Sequence, residues 1–77
     1  MKKMDYKTTS YRIKDGYIID IVEKSDEYEA WIYADDICIK SLMFSIAKDI
    51  VSLNHFEELV KSNADDYIKS YDDEYNY

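Results

Sequence analysis

The stretch YRIKDGYIIDIV, residues 11–22, decides the fold of this chain. Apolar and basic residues alternate before the Asp15-Gly16 pair, and a run rich in β-branched residues follows it. An Asp-Gly pair between two such runs is a strong hairpin signal, because both residues tolerate positive φ. The stretch therefore predicts two antiparallel strands joined by a tight turn.

Two more strands are indicated downstream of this hairpin. Residues 28–33 alternate as a half-buried strand does, with Tyr28, Ala30 and Ile32 on one face. An Asp35-Asp36 turn follows. The β-branched pattern at residues 37–40 predicts a fourth strand that extends toward residue 44. Residues 45–51 fit either a short helical turn or a packed loop, and we take them as the crossover.

The last third of the chain predicts one long amphipathic helix. Its apolar residues recur at spacings of three and four: Phe56, Leu59, Val60, Ala64, Tyr67, Ile68 and Tyr71. Either Ser52 or Asn54 can cap it, and Asn54 with Glu57 matches a capping box. Glu57 and Glu58 would then lie in the first turn, where the helix dipole favours acids. Three acids after Tyr71 oppose that dipole, so we expect the helix to end near Tyr71.

Together these elements predict an α+β domain, with an antiparallel sheet of three to four strands and one long C-terminal helix packed on one face. Residues 1–71 form a single domain in this interpretation, and residues 72–77 are an acidic mobile tail. The strand-strand-strand-helix order resembles that of HicB-like antitoxins. Residues 50–53, Ile-Val-Ser-Leu, stand where that family commonly has a Gly-Asp-Thr approach to the helix.

The single cysteine, Cys38, cannot form an internal disulfide, and its apolar neighbours suggest a buried thiol in a reducing compartment. The basic N-terminus is not followed by the apolar stretch of a signal peptide. No apolar run approaches the roughly 20 residues that cross a bilayer. We expect a cytoplasmic protein that does not bind membranes.

Catalytic and metal-binding patterns are missing from the sequence. His55 is far in sequence from Cys38, and a Cys-His pair needs hydrogen-bond contact and an orienting third group. One histidine and one cysteine cannot supply the usual zinc ligands. Adjacent acids such as Asp65-Asp66 on a helix surface stay ionised and solvated. We therefore expect no enzyme activity, no cofactor and no bound metal.

Charge is the most informative property. The net charge of −7 divides into +4 over residues 1–14 and −11 over residues 15–77. Such a body repels nucleic acid and anionic membranes and attracts basic protein surfaces. An equally weighted alternative is that the acidity only confers solubility. The basic first strand could hold single-stranded nucleic acid through Tyr6 and Tyr11, but lysines that protect an edge strand from aggregation explain it better.

The hypothesis is that carboxylates on the sheet and helix meet at one edge, form a continuous negative surface and occupy a partner's basic groove. Trp31 and Tyr33, on the strand face opposite Ala30, should be partly exposed beside them as anchors. The candidate partner-binding residues are Asp20, Glu23, Asp26, Glu27, Glu29, Trp31, Tyr33, Asp35, Asp36, Glu57, Glu58, Asp65, Asp66, Asp72, Asp73 and Glu74.

In size, acidity and tyrosine content the whole chain resembles small phage-encoded inhibitors that mimic DNA, including several anti-CRISPR proteins. That resemblance implies a protein that blocks the nucleic-acid groove of a host defence nuclease without binding nucleic acid itself. The alternative is an antitoxin-like or regulatory module with the HicB-like layout, which binds one protein through its helix or tail and forms a homodimer or larger oligomer through its sheet.

Overall fold

The structure, a computed structural model, describes residues 6–14, 16–35 and 37–75. Four strands form one antiparallel sheet in the order β1-β2-β3-β4, so each strand pairs with its neighbour in sequence. The elements are β1 (Lys7–Lys14), β2 (Tyr17–Glu23), β3 (Glu27–Ala34), β4 (Ser41–Ala47) and the helix α1 (Leu53–Tyr75). The α+β class, the four-stranded sheet and the single C-terminal helix on the sheet are confirmed.

The first hairpin forms where the sequence predicts it. Gly16 has φ +84°, a conformation that residues with a Cβ adopt only with strain, and Lys14 pairs with Tyr17 across the turn. Asp15, the other residue of the predicted pair, lies outside the described residues. The Gly16 carbonyl also accepts a 2.8 Å hydrogen bond from the backbone N–H of Asp35, which links this turn to the end of β3.

β3 is one of the two central strands of the sheet and has the alternation that its sequence predicts. Tyr28, Ala30, Ile32 and Ala34 are buried, and every residue between them is only half-buried. Paired residues in an antiparallel ladder point to the same side of the sheet. Ile19 and Ile21 of β2, which pair with Ile32 and Ala30, are accordingly buried in the core.

The fourth strand differs from the prediction. Residues 37–40 belong to the connection after β3, and β4 begins at Ser41. The chain reverses at Cys38, which has φ +61° and whose N–H donates a 2.8 Å hydrogen bond to the Ala34 carbonyl. A strand cannot pass through a left-handed residue, so the β-branched pattern was misleading here. Cys38 is also exposed, and the expectation of a buried thiol is wrong.

Only part of the expected crossover at residues 45–51 is a connection, because its first residues belong to a strand. Residues 45–47 continue β4, and the connection to the helix starts only at Lys48. β4 contains an irregularity: Ala30 pairs with Phe44 but its neighbour Trp31 pairs with Leu42. The extra residue, Met43, is buried. This bulge lets Phe44 face the helix while Leu42 faces the other side of the sheet.

The helix begins one residue after Ser52. The Ser52 hydroxyl accepts a 3.2 Å hydrogen bond from the His55 N–H, so Ser52 is the N-cap and the alternative cap at Asn54 is wrong. Glu57 and Glu58 consequently lie beyond the first turn, which contains no acid. The expected contribution of these two acids to the positive end of the dipole is therefore not realised.

The helix continues past the expected end at Tyr71 to Tyr75. Side-chain contacts outweigh the unfavourable dipole there: the Tyr17 hydroxyl of β2 donates a hydrogen bond to the Asp72 carboxylate, and within the helix the Tyr75 ring centroid lies 4.7 Å from that of Tyr71. Residues 72–75 of the expected mobile tail are thus helical. Asn76 and Tyr77 lie outside the described residues.

The core lies between the sheet and the helix. Phe56, Val60, Ala64, Ile68 and Tyr71 form the buried stripe of α1. The Phe56 ring is fully buried, with its centroid 5.3 Å from those of both Tyr28 and Phe44. Fully burying a side chain of this size contributes about 1.5–3 kcal/mol, so the helix is held mainly by this stripe.

The helix covers only one side of the sheet. The opposite side, which we call the open face, carries five apolar or aromatic residues from three strands: Ile18, Val22, Trp31, Tyr33 and Leu42. Leu42 is 47% exposed and the other four are half-buried. The open face and the outer side of the helix therefore lie on opposite sides of the molecule.

Candidate interaction surfaces

Most acids of the sheet side form ion pairs with the chain's own bases. The pairs are Asp20 with Lys40, Glu23 with Lys48, Glu27 and Glu29 with Lys24, and Asp35 with Arg12, at nitrogen to oxygen distances of 2.7, 3.1, 3.9, 2.8 and 2.7 Å. A pair between exposed side chains, such as Arg12 with Asp35, contributes little to stability. These pairs do cancel charge locally, so the sheet side offers a partner far less negative potential than its acid count suggests.

Asp20 is placed differently from the prediction. It lies in the middle of the open face, but it is only 4% exposed. Its neighbour across the β1–β2 ladder, Ser10, donates a 2.5 Å hydrogen bond to one carboxylate oxygen, and Lys40 contacts the other. The hydrogen bond from Lys40 to Asp20 raises the pKa of Lys40. Asp20 therefore does not belong to an accessible acidic surface.

Glu29 is also occupied within the molecule. Lys24 contacts its carboxylate, and the Trp31 indole N–H donates a 3.1 Å hydrogen bond to it. The hydrogen bond from Lys24, more than that from Trp31, lowers the pKa of Glu29, and the same hydrogen bond raises the pKa of Lys24. Trp31 is held in one orientation on the open face by this contact.

Trp31 and Tyr33 lie on the strand face predicted for them and are half-buried. The Lys40 ammonium lies 5.5 Å from the Tyr33 ring centroid, within cation-π range. Lys40 therefore joins Asp20 to Tyr33 across the open face. This link was not predicted, because Lys40 follows the left-handed residue Cys38 and its direction cannot be read from strand alternation.

The helix-side acids are more accessible. Three exposed acids lie on the side of α1 away from its buried stripe, and we call them the acidic ridge: Glu58, Asp66 and Asp73. Asp65 is exposed as well, but it lies toward β1, near Arg12 and Lys61. Glu74 is exposed near the helix end, and its hydrogen bond with Tyr75 raises the pKa of that tyrosine. Glu57 and Asp72 are half-buried, beside Tyr11 and Tyr17 respectively.

The two groups of acids do not merge as the hypothesis required. Asp20 and Glu29 are on the open face, whereas the acidic ridge lies on the far side of the helix that covers the other face. Asp26 is exposed in the β2–β3 turn, and Asp36 lies outside the described residues. The accessible negative charge is therefore concentrated on α1, whose residues carry seven acids and two lysines.

A groove separates β1 from the helix. Its volume is about 470 Å³, and it is lined by Tyr11, Arg12, Ile13, Lys61, Ala64 and Asp65. The Lys61 ammonium lies 5.4 Å from the Tyr11 ring centroid. The Tyr11 hydroxyl is buried and has no hydrogen-bond partner within the described part of the chain. Burial first, and then the nearby Glu57, raises the pKa of Tyr11 to about 12.

Cys38 and His55 are far apart in space as well as in sequence. The Cys38 loop is bound to Tyr71 through its neighbour Ile39, whereas His55 is in the first helical turn. Sixteen residues of helix separate Tyr71 from His55, about 24 Å along its axis at 1.5 Å per residue. The Cys38 thiol instead donates to the Asp35 carbonyl at 2.9 Å.

Among residues 6–14, 16–35 and 37–75, no three His, Cys, Asp or Glu residues are grouped so that they could hold a metal ion. The one helix in this part of the chain is not apolar enough to span a membrane. The chain matches no protein-family model, no curated protein and no solved structure.

Proposed function

We propose that this protein is a non-enzymatic acidic binding protein that uses its helix to occupy a basic, nucleic-acid-binding surface of a partner protein. The single observation that supports this proposal is the asymmetry of accessible charge. Sheet-side acids are largely neutralised by the chain's own bases, whereas α1 has a formal charge of −5 and a ridge free of apolar residues. The partner class that fits is a phage-targeted host defence nuclease.

The dimensions of the acidic ridge suit an extended basic groove. Glu58 and Asp73 are fifteen residues apart, about 22 Å along the helix axis, with Asp66 midway. A rigid helix presents these carboxylates without a large ordering cost, and arginine forms its strongest hydrogen bonds with such groups. Lys69 interrupts the ridge, so the ridge would compete through a few well-placed contacts rather than through a continuous phosphate-like line.

The experiment is competition for a nucleic acid. A fluorescent 20-base-pair duplex is bound to each member of a panel of defence nucleases in 50 mM NaCl, and the protein is added in excess while anisotropy is recorded. We expect the protein to displace the duplex from at least one nuclease. In 500 mM NaCl this displacement should be weaker, because salt screens exposed charges. If no nuclease in the panel loses its duplex, the proposal is refuted.

Matched charge variants locate the effect. The ridge variant carries Glu58→Gln, Asp66→Asn and Asp73→Asn. The control carries Glu27→Gln, Asp26→Asn and Asp49→Asn. These substitutions also remove three negative charges, but from residues outside the helix. We expect the ridge variant to compete at least tenfold more weakly than the control. Equal losses would show that net charge, and not the ridge, drives binding.

A further inference from the structure

The open face is unusually apolar for the uncovered side of an antiparallel sheet. Such a side normally carries polar residues that alternate with the core set. Here the two central strands present Ile18, Val22, Trp31 and Tyr33, and the edge strand adds Leu42. Among residues 6–14, 16–35 and 37–75 the core is a single layer between the sheet and one helix, and oligomerisation is a common way for scaffolds with small cores to bury more apolar surface.

Two polar side chains in the middle of the open face already have hydrogen-bond partners within the chain. Asp20 is bonded by Ser10 and Lys40, and the Trp31 N–H is bonded to Glu29. Covering a polar group costs free energy mainly when its hydrogen bonds are lost. A flat apolar partner could therefore cover this face without leaving those groups unpaired.

The open face is also the place where two copies repel each other least. The protein carries −7 in total, and two helices facing one another would bring −5 against −5. On the open face the charges are paired: Asp20 with Lys40, Glu29 with Lys24, and Arg12 with Asp35 at the edge. We propose that two copies of this chain form a dimer by packing their open faces together.

The area of the open face indicates how much surface the dimer can bury. Four strands about 4.8 Å apart and seven residues at about 3.4 Å each give a footprint of roughly 19 by 24 Å. The footprints of two copies sum to roughly 900 Å², below the roughly 1,200 Å² at which specific, stable interfaces begin. The dimer is therefore weak and transient, and it dissociates on dilution. Both acidic ridges remain outside it, so the inference does not rest on the proposed function.

Sedimentation velocity from 1 µM to 500 µM in 150 mM NaCl tests the dimer. We expect a shift from monomer to dimer over this range. Leu42→Lys places a charge on an exposed position of the open face and should weaken dimerisation at least tenfold. Ile50→Lys is the control, because Ile50 is 72% exposed and lies outside the sheet. A protein that stays monomeric throughout, or an equal effect of both variants, would overturn the proposal.

Fluorescence gives a second readout that identifies the face. Trp31 is the only tryptophan of the chain and lies in the centre of the open face. Its emission should move to shorter wavelength as concentration rises through the dimer midpoint, because its surroundings lose water. The Leu42→Lys variant should show no such shift at the same concentrations. A dimer whose formation leaves the emission unchanged would place the contact elsewhere and refute this interface.

Discussion

Two tyrosine hydroxyls in opposite situations give the sharpest test of the packing. The Tyr11 hydroxyl is buried between β1 and the helix without a partner in the described part of the chain. A buried polar group that makes no hydrogen bond costs about 1–3 kcal/mol. Tyr11→Phe removes the hydroxyl but keeps the ring over which the Lys61 ammonium lies. We expect it to stabilise the protein by about 1 kcal/mol, contrary to the usual effect of a core substitution.

Tyr71 is the matched control for the same chemical change. Its hydroxyl donates a 2.7 Å hydrogen bond to the Ile39 carbonyl and accepts a 3.2 Å bond from the Ala34 N–H. Tyr71→Phe leaves both backbone groups without this partner, so we expect a loss of about 1–3 kcal/mol. In a domain of this size each 1 kcal/mol moves the melting temperature by about 4–8 °C.

The assay is thermal unfolding followed by circular dichroism at 222 nm, with urea unfolding of the same variants for the free energy. Tyr11→Phe should melt at least 4 °C above the parent protein, and Tyr71→Phe at least 4 °C below it, in line with about 1 kcal/mol each. A decrease for Tyr11→Phe would mean that its hydroxyl is satisfied and the packing of β1 on the helix is wrong. If Tyr71→Phe leaves the melting temperature unchanged, the two hydrogen bonds of the Tyr71 hydroxyl do not stabilise the β3–β4 connection.

Two further predictions concern alkaline pH and the helix end. The folded pKa of Tyr11 is about 12 against an ordinary 10.0, so the unfolded chain loses this proton first and the free energy of unfolding falls as pH rises from 10 toward 12. The urea midpoint should therefore fall less steeply between pH 9 and 11.5 in Tyr11→Phe than in the parent, and parallel curves would contradict this. Truncation after Tyr71 should lower the melting temperature by at least 4 °C, since it removes the Asp72 carboxylate that accepts the hydrogen bond of Tyr17 and the ring of Tyr75. Removal of residues 76–77 alone is the control. If both truncated proteins melt at the same temperature, residues 72–75 do not stabilise the fold as part of the helix.

The parts of the fold that could be predicted are those specified locally. The Gly16 turn, the alternation of β3 and the buried stripe of the helix each depend on residues within a few positions of one another. The start of β4 could not be predicted in this way. Cys38 adopts a left-handed conformation without being glycine, and the connection is fixed by Tyr71, more than thirty residues away in sequence.

The same distinction explains the outcome for the candidate surfaces. The sequence shows which residues are acidic, but the partners of Asp20 and Asp35 are brought near them only by the sheet. The weak signal for Asp20 was its position between isoleucines in a central strand, where a carboxylate normally needs a partner. The exposure of the ridge acids, by contrast, follows directly from helical spacing.

The hydrogen bonds of Tyr71 and Asp72 also constrain when the fold can be completed during synthesis. They connect the last turns of α1 to the β3–β4 connection and to Tyr17, which is 55 residues away from Asp72. A nascent chain lacks these hydrogen bonds until residues 71 and 72 have left the ribosomal exit tunnel. The sheet can pair before that, but the loop before β4 and the first hairpin acquire these bonds only when the whole of α1 is free to pack.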